Sequence, residues 1–394
     1  MSSMVRLVCV CVAAAAMETG VAAERSGAEK EVAPGPLRIT SPVPEGDYDV
    51  TVTFGHPTRR TAVTVKAEAR RLMLQNLRVE PGQSATRTFT VAVKRPTLAS
   101  GRRITLKPSQ PAVNWDDGLS LEFSGSDPNV AAVTIEPAED CVHVFLAGDS
   151  TVTDQDGPLY TGWGQMLPRF FRSGVAVVNN AQSGDSLRSF RANGLLDQIW
   201  ERARPGDFVL IQFGHNDQKD TRAGAGAFTT FTRDLEDYVA AARERQLEVV
   251  LVTPMERRRF QAGMPLPTLA DFAAAMRQVG RERNVPVIDL HAASLKLYAA
   301  LGPEGSKQVF LHYPAGAAPD GRQEPLADDS HFDNYGGYEL ARIVATGISE
   351  QVPKLRDRLA EDFVPFDPTR PDPIEAVVLP LSLTSPTIGT PEGS

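Results

Sequence analysis

The stretch CVHVFLAGDSTVTDQDG, residues 141–157, decides the fold of the C-terminal part of the chain. Its first half is apolar and rich in β-branched residues, which predicts a strand buried on both faces, as in a parallel sheet. The strand ends at Gly148-Asp149-Ser150. Two interpretations of this ending are open: Ser150 caps the next helix, or Ser150 is a nucleophile held at the edge of the sheet.

Buried strands and amphipathic helices continue to alternate as far as residue 352. Further strands are predicted over VAVVNNA (175–181), DFVLIQFG (207–214), EVVLVTP (248–254) and VPVIDL (285–290). Helices are predicted over WGQMLPRFFRS (163–173), GLLDQIWERAR (194–204), FTTFTRDLEDYVAAARERQ (228–246), LADFAAAMRQVGRERN (269–284) and YGGYELARIVATGISEQV (335–352). This alternation is typical of an α/β fold whose parallel sheet is covered by helices on both faces. Ligands of such folds bind beyond the carboxyl ends of the strands.

The chain that precedes this α/β domain, itself predicted over residues 140–356, has a different pattern. Short runs of alternating apolar and polar residues, separated by turn residues, occupy residues 37–139 and predict an all-β sandwich domain. RITLKPS, residues 103–109, is one of its predicted strands. Residues 24–36 are predicted to be a charged linker, and residues 357–394 a Pro-rich, disordered tail.

The first 23 residues predict a secretory signal peptide. Arg6 precedes an apolar run from Leu7 to Met17, and small residues follow as far as Ala23, the predicted cleavage point. The apolar run is shorter than the about 20 residues that cross a bilayer, so no membrane span is expected. The mature chain is therefore predicted to be secreted or periplasmic.

Composition excludes several functions. The formal net charge of -8 argues against nucleic-acid binding, which requires a basic face. Cys141 is the single cysteine after the predicted signal, so neither an internal disulfide nor a cysteine-based metal site is expected. Asp154 and Asp156 lack the spacing and the final Glu of an EF-hand, and no metal is predicted there.

Polar clusters follow three of the predicted strands, and a fourth cluster precedes the last helix. They are Gly148-Asp149-Ser150, NNAQSGDS with Gly184, FGHND with Asn216, and DDSHF with Asp328 and His331. A serine hydroxyl becomes a nucleophile when an imidazole accepts its proton, and a carboxylate then fixes the tautomer of the imidazole. His331 is the candidate base. Asp328, three residues earlier on the same loop, is the candidate partner of His331, and Asp329 competes with it.

The same clusters contain candidate donors for an oxyanion hole. These donors are the backbone amides of Ser150 and Gly184 and the side-chain amide of Asn216. Gly184 has no side chain to block the approach of a substrate oxygen. Each cluster alone has a structural explanation as a helix cap, a turn or a structural histidine. Because all four occur together at the ends of elements, they predict acyl transfer with Ser150, His331 and Asp328 as the catalytic residues.

From about residue 141 to residue 352 the chain resembles the SGNH (GDSL) hydrolase superfamily, and within it the rhamnogalacturonan acetylesterases. The Ser, Gly, Asn and His that name the superfamily match Ser150, Gly184, Asn216 and His331. The stretches AGDSTVTD, GWGQML, VVNNAQSGDSLRSF, GDFVLIQFGHND and DDSHFDNYGG carry the resemblance. PEGDYDVTVTFG and KAEARRLML resemble the galactose-binding-like β-sandwich that precedes the esterase domain in some two-domain relatives.

The resemblance implies a flavodoxin-like three-layer α/β/α domain, no cofactor, and removal of acetyl groups from galacturonic acid in the pectin backbone. An acetylated polysaccharide or oligosaccharide is thus the expected partner. One departure concerns the substrate: relatives commonly carry Arg after the second-block glycine, where this chain has Asp185. The candidates for substrate binding are Asp185, Arg188, His215 and Trp163.

Several alternatives remain open. MERRRF, residues 255–260, is either a solvated loop or a binding site for a uronate carboxylate, and Trp115 either packs a turn or stacks on a sugar. The domain with the polar clusters is alternatively an esterase for another acetylated glycan such as xylan, or a short-chain lipase or thioesterase. A glycan-binding protein with an inactive hydrolase domain is the alternative outside enzymes. None of these patterns bears on the oligomeric state.

Overall fold

The computed structural model describes residues 36–382. The predicted signal peptide, the predicted linker apart from Pro36, and residues 383–394 of the predicted tail lie outside the described residues. The described chain forms an all-β domain followed by an α/β domain.

The N-terminal domain consists of two antiparallel sheets. Its strands are β1 (Leu37–Pro42), β2 (Gly46–Phe54), β3 (Thr61–Ala67), β4 (Arg71–Val79), β5 (Ala85–Val93), β6 (Gly118–Asp127) and β7 (Val130–Pro137). One sheet has the order β1-β6-β3-β4 and the other the order β5-β2-β7. Alternate residues of a strand face opposite sides of its sheet. Val50 and Val133 of one sheet therefore share an apolar cluster with Val65 and Phe123 of the other, and the predicted all-β character is confirmed.

The predicted strand over residues 103–109 is wrong. Arg103 forms only an isolated bridge with Thr97, which lies before this segment. Farther along, the backbone amide of Thr105 donates to the carbonyl of Asn193 in the α/β domain, at 2.8 Å. The segment lies between β5 and β6 of the β domain, and backbone amides such as that of Thr105 bond across the domain boundary instead of to a neighbouring strand.

The α/β domain contains the remaining strands and all the labelled helices. The strands are β8 (Val142–Ala147), β9 (Val175–Asn179), β10 (Phe208–Ile211), β11 (Glu248–Val252), β12 (Phe260–Gln261), β13 (Met264–Pro265), β14 (Val287–Ile288), β15 (Phe310–Tyr313) and β16 (Leu326–Phe332). The helices are α1 (Trp163–Met166), α2 (Leu187–Ala192), α3 (Leu195–Arg202), α4 (Thr232–Glu244), α5 (Ala270–Glu282), α6 (Leu290–Gly305), α7 (Asn334–Gln351) and α8 (Pro353–Arg356). Among residues 36–382, no helix combines the length and apolar character needed to cross a membrane.

Five parallel strands form the central sheet in the order β9-β8-β10-β11-β14. Numbered along the chain this order is 2-1-3-4-5, that of flavodoxin-like folds. Val144 and Leu146 of β8 face an apolar cluster with α1, α6 and α7. Phe145 and Ala147 face a second cluster with α2, α3, α4 and α5. The predicted α/β domain with helices on both faces of a parallel sheet is confirmed.

Some elements differ from the predicted pattern. The first predicted helix is α-helical only over α1 and continues as a 3-10 turn at Leu167–Phe170, because Pro168 has no amide hydrogen to extend the helix. Helices α2 and α6 and the antiparallel hairpin of β15 and β16 were not predicted. With six residues, α2 is too short to show a periodic pattern.

The predicted disorder of the tail is wrong for residues 357–382. Phe366 is buried in the apolar cluster beside α7. Farther along, the ammonium group of Lys66 in β3 donates to the carbonyl of Pro380 at 2.7 Å. The Pro-rich composition shows only that this segment cannot build a core of its own. It is ordered because it packs on the surfaces of both domains.

His143 links the two domains at the edge of the parallel sheet where the strands begin. Its Nε2 lies 2.8 Å from Asp47 Oδ2 in β2, and its Nδ1 lies 2.8 Å from Asp207 Oδ2 just before β10. Burial lowers the pKa of His143, but the hydrogen bonds to Asp207 and Asp47 outweigh it and raise the pKa to about 10. Burial raises the pKa of both carboxyls, yet contact with His143 keeps both below their ordinary value. The linkage is therefore an imidazolium between two carboxylates.

The charge of His143 predicts a pH-dependent contribution to stability. The pKa of His143 in the folded protein is about 10, above the unfolded value of about 6.5. Its contribution is thus fully present below about pH 6.5 and is lost as the pH rises through about 10. We expect the melting temperature of His143→Gln to lie below that of the wild type at about pH 6, and the gap to narrow toward about pH 10. Thermal unfolding of both proteins across this range checks it, and a gap independent of pH contradicts it.

Candidate active site

The turn after β8 is held by Asp149. Its buried Oδ1 accepts hydrogen bonds from the amide of Thr151 at 3.0 Å and from the hydroxyl of Thr151 at 2.7 Å. Ser150, within this turn, caps no helix, because α1 begins only at Trp163 and its N-cap is Gly162. The helix-cap interpretation of Ser150 is therefore wrong.

Ser150, His331 and Asp328 form a hydrogen-bonded series. His331 Nε2 lies 2.9 Å from Ser150 Oγ, and His331 Nδ1 lies 2.8 Å from Asp328 Oδ2. A carboxylate next to Nδ1 favours the tautomer that carries the hydrogen there, which leaves Nε2 to accept the hydroxyl proton. The structure thus brings together the three residues that the sequence predicts as catalytic.

The Asp328 carboxylate also organises its own turn. Its Oδ1 accepts hydrogen bonds from the amides of Ser330, at 2.8 Å, and His331, at 3.0 Å. Burial raises the pKa of Asp328, but contact with the His331 ring and the hydrogen bonds from the two amides lower it below the ordinary value. Asp328 therefore stays ionised beside the imidazole.

Asp328 and His331 belong to β16 and not to a loop, contrary to the prediction. β16 pairs with β15, and the register shifts within the pair: Leu311 faces Asp328, whereas the neighbouring Phe310 faces Phe332. The residues between Asp328 and Phe332 therefore bulge out of the hairpin. This bulge contains the turn that sets His331 next to its carboxylate.

Asp329, the competing candidate, has other partners. Its Oδ1 lies 2.9 Å from His312 Nε2 and accepts a hydrogen bond from Arg258 Nη1 at 2.9 Å. The geometry therefore favours Asp328 as the partner of His331.

Tyr160 and Gln212, which lie near the site, were missed in the sequence, and Trp163 was assigned a role that it does not have. The rings of Tyr160 and His331 meet edge to face, with centroids 5.8 Å apart. Gln212 donates to Thr151 Oγ1 at 2.6 Å and accepts from Trp163 Nε1 at 2.7 Å. Trp163 is 1% exposed and supports the nucleophile turn through Gln212, so its prediction as a substrate-binding residue is wrong. No pattern in the sequence distinguishes Tyr160 or Gln212 from core residues.

The oxyanion candidates lie where the second and third polar clusters meet. Gly184 has a φ of 72°, in the left-handed region that favours glycine. The side-chain amide of Asn216 donates one hydrogen to the carbonyl of Asp185 at 3.0 Å. Its second hydrogen is the one that an oxyanion would receive. The assignment of Ser150, Gly184 and Asn216 to an oxyanion hole stays a prediction.

His215 is a neighbour of the nucleophile turn. Its Nδ1 lies 3.4 Å from Asp149 Oδ2, and the ring is buried. Burial lowers the pKa of His215, which keeps the ring neutral. Burial raises the pKa of Asp149, but His215 and Thr151 outweigh it and keep Asp149 ionised. Direct contact between His215 and substrate stays a prediction.

Asp185 is a buried structural residue. Its carboxylate accepts hydrogen bonds from Ser189 Oγ at 2.9 Å, from Asn193 Nδ2 at 3.0 Å and from Gln182 Nε2 at 3.1 Å. It also forms an ion pair with Lys107 Nζ at 2.9 Å. With no exposed surface, Asp185 cannot touch a substrate, so its prediction as a substrate-binding residue is wrong.

Arginines lie at two places around the site. Arg188 is exposed on α2. Arg257, in the MERRRF segment, is half-buried and donates to the carbonyl of His215 at 3.3 Å. Arg257 therefore lies directly beside the third polar cluster, whereas its neighbour Arg258 is held by the ion pair with Asp329.

Within residues 36–382, one group of side chains has the spacing of metal ligands. Atoms of Asp47, Cys141 and His143 lie within 4.8 Å of one another. Both nitrogens of His143 already contact carboxylates, so ion pairs account for this group. Asp154, in the rejected calcium loop, is paired with Arg71 at 2.6 Å.

A hydrogen-bonded serine, histidine and carboxylate at the carboxyl edge of a parallel sheet is the arrangement of a serine hydrolase of the α/β class. Residues 146–336 match the GDSL-like Lipase/Acylhydrolase family. Rhamnogalacturonan acetylesterase RhgT of Bacillus subtilis (strain 168) is 41% identical over 222 residues, which cover 55% of this chain and 94% of RhgT.

Two further relatives from the same Bacillus subtilis strain cover different shares of the chain. The probable rhamnogalacturonan acetylesterase YesY is 34% identical over 211 residues, 53% of this chain and 93% of YesY. The uncharacterized esterase YxiM is 25% identical over 315 residues, 78% of this chain and 73% of YxiM, and so its match extends into the β domain. The chain belongs to the GDSL-like lipase/acylhydrolase family, and it is a carboxylic ester hydrolase.

The two adjacent aspartates of β16 provide a matched test of the site. Asp328→Asn keeps the shape of the side chain but removes the charge that holds the His331 tautomer. We expect kcat on 4-nitrophenyl acetate to fall by roughly 10³–10⁴-fold. Asp329→Asn, the control, should retain most of the activity because Asp329 contacts His312 and Arg258 instead. Equal losses in the two variants contradict the assignment of Asp328.

Proposed function

We propose that the protein is a secreted or periplasmic carbohydrate esterase that removes acetyl groups from pectic polysaccharide by a Ser-His-Asp mechanism. The observation that carries the proposal is the 2.9 Å contact between Ser150 Oγ and His331 Nε2 in a member of an ester-hydrolase family. Export is supported by the predicted signal peptide over residues 1–23. The pectic substrate is supported by the relatives RhgT and YesY, which are named as a rhamnogalacturonan acetylesterase and a probable one.

In the first half of the proposed reaction, Ser150 Oγ attacks the acetyl carbonyl carbon while His331 Nε2 takes the hydroxyl proton. The carbonyl oxygen becomes an oxyanion, which receives hydrogen bonds from the amides of Ser150 and Gly184 and from the Asn216 side chain. The bond between the acetyl carbon and the sugar oxygen then breaks. His331 gives its proton to that oxygen, and the acetyl group remains on Ser150.

The second half repeats these steps with water. His331 takes a proton from the water molecule as its oxygen attacks the acetyl carbon, and the bond to Ser150 Oγ then breaks. The proton returns to Ser150, and acetate leaves. Asp328 stays ionised throughout, which stabilises the imidazolium that forms twice in each cycle.

Arg257 supplies the cation that a galacturonate carboxylate requires in this proposal. It donates to the carbonyl of His215, next to the oxyanion candidate Asn216. Burial lowers the pKa of Arg257, and the nearby carboxylates of Asp149, Glu256 and Asp328 oppose this. A guanidinium near these three carboxylates balances the negative charge that a uronate would otherwise meet.

The nucleophile and the substrate class are tested together. Wild-type protein and Ser150→Ala are incubated with acetylated rhamnogalacturonan, acetylated xylan, 4-nitrophenyl acetate and 4-nitrophenyl octanoate. We expect the wild type to prefer the pectic substrate, and Ser150→Ala to lose roughly 10³-fold or more of this activity with an unchanged circular dichroism spectrum. Preference for the octanoyl ester indicates a lipase or thioesterase instead. Binding of glycan without release of acetate indicates a binding protein.

The proposed role of Arg257 is tested by comparing charged and neutral substrates. Arg257→Met should raise KM for acetylated galacturonate oligosaccharides about tenfold, the effect of losing a hydrogen bond to a charged group. KM for 4-nitrophenyl acetate should stay unchanged, because that ester has no carboxylate. Arg281→Met, which removes the same charge from an exposed position on α5, is the control. An equal rise of KM on both substrates contradicts a carboxylate contact.

A further inference from the structure

We propose that the β domain positions the active site through its cations Arg71 and Lys107. They hold two loops in a fixed relative position and thereby set the rate of turnover. These are the nucleophile loop, residues 148–161, and the oxyanion loop, residues 179–186. This rests on the proposed function in so far as Ser150 is the nucleophile. It gives the β domain a role other than carbohydrate binding.

Arg71 anchors the nucleophile loop to the β domain. At the start of β4, its Nε donates to Asp154 Oδ2 at 2.6 Å. The two side chains are 2% and 1% exposed, so this ion pair is shielded from water. The same guanidinium donates to the carbonyl of Ala92 in β5 at 2.9 Å, which fixes it to the β domain. Asp154 follows Ser150 by only four residues.

Asp154 transmits this constraint to the oxyanion loop. Its Oδ1 accepts a hydrogen bond from Asn179 Nδ2 at 2.8 Å, and the same amide group donates to the carbonyl of Val152 at 2.8 Å. Thr153 Oγ1 donates to the carbonyl of Ala181 at 2.6 Å. The two loops are therefore tied to each other at the point where Arg71 holds the first.

Lys107 holds the oxyanion loop directly. Its Nζ donates to the carbonyl of Ser183 at 2.8 Å and lies 2.9 Å from Asp185 Oδ1. Its backbone amide donates to Gln182 Oε1 at 2.9 Å. Ser183 and Asp185 are the two neighbours of Gly184, so Lys107 holds the peptide before the predicted oxyanion donor and the side chain of the residue after it.

Other residues of the β domain reinforce these contacts. Arg70 donates to the carbonyl of Tyr160 in the nucleophile loop at 3.1 Å. Lys94 donates to the carbonyl of Asn179, and its Nζ lies 3.8 Å from the centroid of the Trp115 ring. Trp115 is buried in this interface, which excludes the sugar-stacking role considered for it.

The burial of Arg71 and of the Lys107 partner Asp185 argues for positioning and not for stability alone. The cost of removing a charge from water offsets much of the attraction within a buried ion pair, and apolar residues of similar size stabilise an interface as well. Charged hydrogen bonds, however, fix the direction and the distance of their partners. Arg71 and Lys107 apply them within a few residues of Ser150 and Gly184.

A second group of contacts between the two domains, far from the two loops in the sheet, provides a control for the test. The cluster of Asp47, His143 and Asp207 links the same two domains where the parallel strands begin. It contacts neither the nucleophile loop nor the oxyanion loop. Asp47→Asn should therefore weaken the attachment of the domains without displacing Ser150.

The test compares Lys107→Met, Lys107→Arg, Asp185→Asn and Asp47→Asn with the wild type in the full chain. Readouts are kcat and KM on 4-nitrophenyl acetate, the rate at which a fluorophosphonate labels Ser150, and the melting temperature. We expect Lys107→Met to lower kcat and the labelling rate by about ten- to a hundredfold with KM nearly unchanged, because small displacements of reacting groups have effects of this size. Lys107→Arg should restore most of the rate. Asp47→Asn should lower the melting temperature and leave kcat unchanged.

Two results overturn the inference: wild-type kcat and labelling rate in Lys107→Met, or an equal loss of kcat in Asp47→Asn. Asp185→Asn removes the ion pair with Lys107 from the side of the α/β domain. It replaces Lys107→Met in the test if Lys107→Met does not fold. The double variant Lys107→Met with Asp185→Asn should be no slower than the slower single variant, because both changes remove the ion pair between Lys107 and Asp185. A wild type that reacts with the fluorophosphonate but releases no acetate from any glycan refutes the proposed substrate, and the labelling rates still decide the positioning role.

Discussion

The arrangement of the active site depends on the hydrogen bonds that the buried carboxylate of Asp154 accepts. It accepts hydrogen bonds from Arg71 and Asn114 of the β domain and from Asn179 at the end of β9. A carboxylate out of reach of water requires protein partners for its lone pairs. These partners come from distant parts of the chain, so Asp154 joins the β domain, the nucleophile loop and β9 at one point. Ser150 precedes Asp154 by four residues, so these contacts also restrict its position.

The same principle operates at smaller scale within the site. Asp149 accepts from the amide and hydroxyl of Thr151, and Asp328 accepts from the amides of Ser330 and His331. Each carboxylate closes its own turn, and each keeps its charge although burial opposes it. The negative charge next to His331 stabilises the imidazolium that acyl transfer requires. The same hydrogen bonds thus stabilise the local turns and orient the catalytic groups.

Much of this could be predicted from the sequence because parallel sheets leave a strong pattern. Strands such as β8 and β9 are apolar apart from one residue each, and their carboxyl ends must meet at one edge, which is why Ser150 and Gly184 were recognisable. The hairpin that carries His331 left no such pattern, since LADDSHF is polar and its register is broken by a bulge. Contacts between the domains were equally hidden, because an ion pair such as Lys107 with Asp185 joins residues far apart in the chain. The order of residues 357–382 depends on surfaces formed by the rest of the protein.

Asp185 shows why a single charge cannot be interpreted without the fold. In the sequence, a carboxylate follows Gly184 where relatives commonly carry Arg, and Asp185 was a candidate for substrate binding. In the structure it has no exposed surface and is neutralised by Lys107, so it presents little net charge to a ligand. Removing one partner of a buried ion pair typically costs about 3–5 kcal/mol, because the other charge is left uncompensated. The residue that departs from the common pattern of relatives is therefore compatible with this fold because a second domain supplies its cation, and the local substitution and the domain organisation depend on each other.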